Sequence, residues 1–150
     1  MAALSADRNT PRAEGDIRQG GLAATVLVYA GAIVMRNASG FLTKGQAATG
    51  LVGVGRAEER KTGGASAGDE PLKYRPGTYR FGNSASSDAI TIAEIGDVCF
   101  VVDDQTVAKT DGGGTRSAAG FIDSVDAQGV WVRFDEAMLV SHLAGLASPA

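Results

Sequence analysis

Short runs rich in β-branched and aromatic residues, one of them alternating apolar with polar positions, are separated along this chain by glycine and proline, the pattern of short strands and turns. From Ala24 to Met35 the residues Thr25, Val26, Val28, Tyr29, Ile33 and Val34 are β-branched or aromatic, and Gly31 breaks them into a hairpin or a bulged strand. Asn37 to Gly40 reads as a turn and Phe41 to Thr43 as a short extended piece. Leu51, Val52 and Val54 stand between Gly50, Gly53 and Gly55, where glycine points to a bulge or a close approach of backbones. Leu72, Tyr74, Tyr79 and Phe81 alternate with Lys73, Arg75 and Arg80, and Pro76-Gly77 bends the run. Val98 to Val102 reads as a buried strand. Ala118 to Val125 and Gly129 to Phe134 form a last pair, joined by the hairpin turn Asp126 to Gly129. Ser87 to Gly96 fits either a strand or one helical turn closed by Gly96.

Two stretches depart from this pattern. Residues 1–20 are polar, short of large apolar side chains and carry the breakers Asn9-Thr10-Pro11-Arg12 and Glu14-Gly15-Asp16, so they are expected as an extended arm. After Phe134 the period changes: Met138, Leu139, Leu143 and Leu146 share one helical face, and Asp135 and Glu136 suit the positive start of a helix. The predicted organisation is an arm over 1–20, a β domain over 21–134 and a short amphipathic helix over 135–150. Within the β domain, residues 62–70 have the composition of a flexible loop, and Asp111 to Gly114 that of a mobile tip.

Composition fits a loop-rich protein of the all-β class, and the fold expected overall is a small β-barrel-like or β-sandwich domain. The 150 residues are 44% hydrophobic, enough to close one core, but only 6% aromatic with 21 glycines, so the core is expected from Val, Ile, Leu and Ala between tight turns. With 14 basic against 17 acidic residues and no block of either sign, nothing favours nucleic acid as a partner. The single cysteine, Cys99, lies in an apolar run and is expected as a small core residue in a reducing setting. Leu22 to Val34 falls short of the roughly 20 apolar residues that cross a bilayer, and the start has no basic segment followed by an apolar run, so neither a membrane span nor a secretory signal is expected.

Catalytic chemistry finds no foothold in the sequence. The only histidine, His142, sits in the tail helix, and no nucleophile has a partner base in view. One Cys and one His cannot supply a zinc site, and Asp103-Asp104 with Asp111 lacks the ligand alternation of a calcium loop. Gly40 to Ala47 has the glycine spacing of a phosphate loop but sets Gln46 and Ala47 where Lys and Ser or Thr must stand. No enzyme activity, metal or cofactor is therefore expected. Trp131, flanked by Val130 and Val132, reads as a core or subunit-interface residue, and Arg75, Arg80 and Arg133 as a solvated face.

An ordered set of segments carries a family likeness: Leu4 to Pro11, Gly55 to Glu59, Arg80 to Ala85, Asp97 to Ala108, Arg116 to Gly120 and Gly129 to Arg133. Together they resemble the capsid decoration, or cement, proteins of tailed phages, particularly those of Mu-like phages and prophages. The resemblance covers roughly residues 4–134, and the tail from Asp135 goes beyond it. It implies a small β-barrel-like domain made in the host cytoplasm that sits on the outer face of the virion capsid, commonly as a homotrimer, and bridges major capsid protein subunits. The arm residues Asp7, Arg8, Asn9, Pro11 and Arg12 are then candidate capsid contacts, and Trp131, Met138, Leu139 and Leu143 candidate contacts between subunits. The competing expectation is a β-rich binding module for carbohydrate or another surface, which requires exposed aromatic rings.

Overall fold

A computed structural model describes residues 2–147 and is mainly β. In chain order the first strands are β1 (Arg18–Gly21), β2 (Leu27–Val28), β3 (Ile33–Arg36), β4 (Leu42–Lys44), β5 (Val52–Ala57) and β6 (Lys61–Thr62). They are followed by β7 (Pro71–Arg75), β8 (Gly77–Asn83), β9 (Val98–Asp103), β10 (Thr106–Ala108), β11 (Ala118–Asp126) and β12 (Gly129–Phe134), and then by the helix α1 (Glu136–Ala147).

The second half of the chain closes into a five-stranded barrel in the order β10-β8-β12-β11-β9. Closure comes from β10, which pairs in parallel with β8 and antiparallel with β9, so the barrel has no open edge. The β11–β12 hairpin forms at the predicted turn, where the Asp126 carboxylate accepts the backbone N–H of Gln128 at 2.8 Å and of Gly129 at 3.1 Å. The first half makes a sheet in the order β1-β7-β5-β3-β4. Its two edge strands are drawn together by a parallel bridge between Leu22 and Leu42 and by the Ala23 N–H, which donates to the Leu42 carbonyl at 2.8 Å. The short pair β2–β6 completes this half.

Composition predicts one core, but the buried apolar residues form two clusters with β3 as their shared wall. Side chains of a strand alternate between its faces, and Ile33, Val34 and Met35 are all buried, so β3 is covered on both sides. Ile33 and Met35 join Phe81, Val101, Val107, Ile122, Val130, Val132 and Phe134 in the barrel core, where the Phe81 and Phe134 rings meet edge to face at 5.9 Å. Val34 joins Leu22, Leu42, Val54, Leu72 and Tyr74 on the other side. Cys99 is fully buried in the barrel, and burial pushes its thiol up to about 12, as suits a packing residue.

Three segments differ from, or sharpen, the sequence expectation. Residues 62–70 lie folded across the seam of the first sheet: Gly68 N–H donates to the Leu22 carbonyl at 2.9 Å, Leu22 N–H to Glu70 at 2.8 Å and Thr25 N–H to Gly64 at 2.9 Å. Their glycines serve proximity, since a Cβ on Gly63 would lie 2.1 Å from the Ala23 carbonyl oxygen. The Asp111 loop is likewise a closed turn, its carboxylate accepting from the Gly113 and Gly114 N–H groups at 3.2 Å. Ser87 to Gly96 contains no strand: two 3-10 turns, Ser86–Asp88 and Ile92–Glu94, span it. A reciprocal cap between Thr91 and Glu94 starts the second, and Gly96 at φ +95° follows it.

Candidate interaction surfaces

The arm is exposed from Ala2 to Gln19 and joins no sheet before Arg18. Asp7, Arg8, Asn9, Pro11 and Arg12 all stand in solvent, and the bonds along this stretch are local: Arg12 to Glu14 at 3.0 Å, and the Thr10 N–H to the Arg8 carbonyl at 3.1 Å. Its base is fixed. β1 pairs with β7, setting Arg18 opposite Tyr74, and Asp16 reaches Arg75 at 3.3 Å. Arg75 also faces Glu58 at 2.8 Å, an ion pair without the alignment of a hydrogen bond, and Glu58 pairs with Arg56 at 2.9 Å. The Arg56 guanidinium lies 4.3 Å from the centre of the Tyr79 ring, whose own burial raises its phenol above the ordinary value. Arg75 is therefore a half-buried anchor and not part of a solvated face, whereas Arg80 and Arg133 are exposed.

Helix α1 begins where the carboxylates suggested. The Asp135 side chain accepts the Met138 N–H at 3.1 Å as a cap, and Glu136 receives Arg36 Nε at 2.6 Å and Arg36 Nη2 at 3.2 Å. This fork, with Tyr74 Oη accepting from Arg36 at 3.0 Å, fastens the helix to the first sheet and raises the Arg36 pKa, chiefly through the Glu136 hydrogen bond. No local sequence signal marks it, because the partners are 100 residues apart. Leu139 is fully buried under its own chain, which removes it from the candidate subunit contacts. Met138 is 41% exposed and Leu143 half-buried, so these two keep a surface. Residues 148–150 of the predicted tail lie outside the described residues.

Trp131 is neither in a core nor bare. Its indole N–H donates to the Asp126 carboxylate at 2.8 Å, and the Arg80 guanidinium stands 5.5 Å from the ring centre on the barrel's outer wall. Further round that wall a cleft of about 310 Å³ runs between Ile95, Phe121, Arg133 and Met138, with the His142 ring edge-on to Phe121 at 5.8 Å. A second cleft, of about 550 Å³, lies between the arm base at Arg18 and the helix start at Glu136, floored by Val54, Tyr74 and Phe134. Among the described residues no group of three or more His, Cys, Asp or Glu is placed to hold a metal ion, and no helix is long and apolar enough to cross a membrane.

Three carboxylates are held below their ordinary range by hydrogen bonds to the charged form. Asp88 accepts from the Thr110 hydroxyl and from Arg116, Glu94 from the Thr91 hydroxyl, and Asp126 from the Trp131 indole and the Gln128 N–H. Each binds a proton less readily folded than unfolded, so its contribution is complete above the unfolded value of about 4 and is lost as pH falls through the lowered folded value. The melting temperature is expected to hold from neutrality to about pH 5 and then to fall with acid. Asp126→Asn should melt lower at pH 7 and show a shallower acid limb in circular dichroism. A parent melting temperature that rises on acidification contradicts this account.

Fold and surfaces together define a mainly β protein in which a closed five-stranded barrel and a second, nearly closed sheet present a free arm and a trailing helix. No family model, curated protein or solved structure matches the chain.

Proposed function

We propose that this protein is a capsid decoration protein that binds the outer surface of an assembled phage head and stabilises it by bridging major capsid protein subunits. The observation that carries the reading is the arm: an exposed, unpaired stretch of backbone whose base is clamped to a rigid β body by β1–β7 pairing and the Asp16–Arg75 ion pair. Such a segment can lie along a neighbour's strand edge and form backbone hydrogen bonds there, while the body fixes where it starts. The segments Leu4 to Pro11 and Asp97 to Ala108, which carry the family likeness, fall on the arm and on β9–β10 of the barrel. A ligand that binds only the assembled shell stabilises it by mass action, and many copies multiply the effect. Self-association as a trimer through Trp131, Met138 or Leu143 belongs to the same proposal.

The test is co-sedimentation of the purified protein with expanded, undecorated shells of its major capsid protein. Saturable pelleting with the shells, and none with unassembled capsid protein, is the expected result. Shells that sediment without it sink the proposal.

A further inference from the structure

We infer that the cleft beside Tyr29, at the junction of the two β units, binds a neutral pyranose sugar. Among the described residues Tyr29 is the one exposed aromatic ring, at 52%, while the other eight aromatic residues are buried or half-buried. It lies just past β2 in a turn closed by the Ala32 N–H, which donates to the Tyr29 carbonyl at 3.1 Å, with Gly31 at φ +87°. The guanidinium of the exposed Arg60 stands over the ring, 5.2 Å from its centre, as a cation–π contact.

Across this open cleft, of about 350 Å³, the β9–β10 turn of the barrel brings Asp104 and Gln105. The backbone of that turn is fixed: Ile33 N–H donates to the Asp104 carbonyl at 2.9 Å, and Gln105 N–H to the Asp103 carboxylate at 2.9 Å. Among the described residues neither the Asp104 nor the Gln105 side chain is engaged in a hydrogen bond or ion pair. A carboxylate and an amide with open bonding capacity therefore line the same cleft as an exposed aromatic ring.

That combination suits a sugar. The C–H face of a pyranose presents partly positive hydrogens to the negative face of an aromatic ring, and its hydroxyls donate to a carboxylate and exchange both kinds of bond with an amide. Asp104 opposes an anionic ligand, and the cleft is at the small end of the roughly 300–1,000 Å³ usual for ligand sites. The backbone on both sides of the cleft is hydrogen-bonded in the free protein, so binding has to order side chains only.

The experiment is saturation-transfer and shift-titration NMR of the full chain with methyl glucoside, methyl galactoside, N-acetylglucosamine and glucuronate. It uses the isolated protein, so its outcome is independent of the capsid reading. At least one neutral pyranose is expected to bind with a Kd on the order of 1 mM. Tyr29→Ala should weaken it at least about tenfold, an energy of about 1.4 kcal/mol, while Tyr29→Phe retains it; circular dichroism of both variants checks the fold. No transfer to any sugar, affinity unchanged in Tyr29→Ala, or tighter binding of glucuronate than of the neutral sugars overturns the inference.

Discussion

Gly53→Ala is expected to destabilise this protein by about 3–5 kcal/mol, more than any other single methyl group added to the surface between its two β units. Gly53 lies in β5 opposite Met35 of β3 and presses its Cα onto β11 of the barrel. A Cβ there would stand 2.0 Å from the Ala119 carbonyl oxygen and 2.6 Å from its carbonyl carbon. No rotamer relieves a clash between one backbone and another, so the two units must move apart. The neighbouring bonds resist that movement: the Ser117 hydroxyl donates to the Ala48 carbonyl at 2.6 Å and accepts the Leu51 N–H at 3.1 Å. Separation also opens the barrel core around Ala119, Ile33 and Met35. Against a total stability of about 5–15 kcal/mol, the loss is large, and it should appear as a fall in melting temperature of about 10 °C or more.

Gly145→Ala supplies the opposite sign. Gly145 is in α1 with nothing within 4 Å of the position its Cβ would take, so the alanine meets open space and improves helix propensity. The gain expected is about 0.5–1 kcal/mol. Chemical denaturation of both variants beside the parent decides the matter. A Gly53→Ala protein as stable as the parent would falsify the close approach of β5 and β11.

These glycines also show how far the sequence can be read. The run Gly50, Gly53, Gly55 announces close backbones, because glycine in a strand gives up packing and conformational entropy for some reason; the partner, Ala119, is 66 positions away and leaves no local trace. Asp126 to Gly129 was legible in full, since both the turn and the side chain that closes it lie within four residues. Asp135 and Glu136 marked the helix start for the same reason. The two-sided burial of β3 was not legible: three successive apolar residues in a short strand look like any buried run, and only the topology reveals that each face has its own cluster. Composition misled at residues 62–70, where glycine and serine suggest flexibility but backbone hydrogen bonds to Leu22 and Thr25 tie the segment down. Of the candidate surfaces, the arm was legible because its polar, broken sequence cannot bury anything. Tyr29 was not, because strand propensity placed it inside a strand and the turn that exposes it depends on Gly31 and Ala32.

On the capsid-binding proposal, deleting residues 2–15 is expected to leave the fold intact and to weaken shell binding by about 100-fold or more, a loss of about 2.8 kcal/mol at 1.4 kcal/mol per tenfold. The body loses only the exposed Gly15 carbonyl to which Arg18 donates at 2.9 Å: every residue of that stretch is exposed, while Asp16 and β1 remain to pair with Arg75 and β7. Stability should therefore stay within about 0.5 kcal/mol of the parent. The binding loss follows from the topology. One β unit is a closed barrel and the other has its edges drawn together at Leu22 and Leu42, so the folded body offers little free strand edge for a partner to extend. The open backbone donors and acceptors lie in the arm, and strand addition to a neighbour has to use them. Arg8→Ala and Asn9→Ala should each weaken binding less than the deletion, because backbone pairing survives the loss of one side chain. The readout is the fraction of protein that sediments with expanded shells across a concentration series. Unchanged affinity after the deletion moves the contact onto the barrel wall, where Arg80 and Trp131 are the next residues to replace.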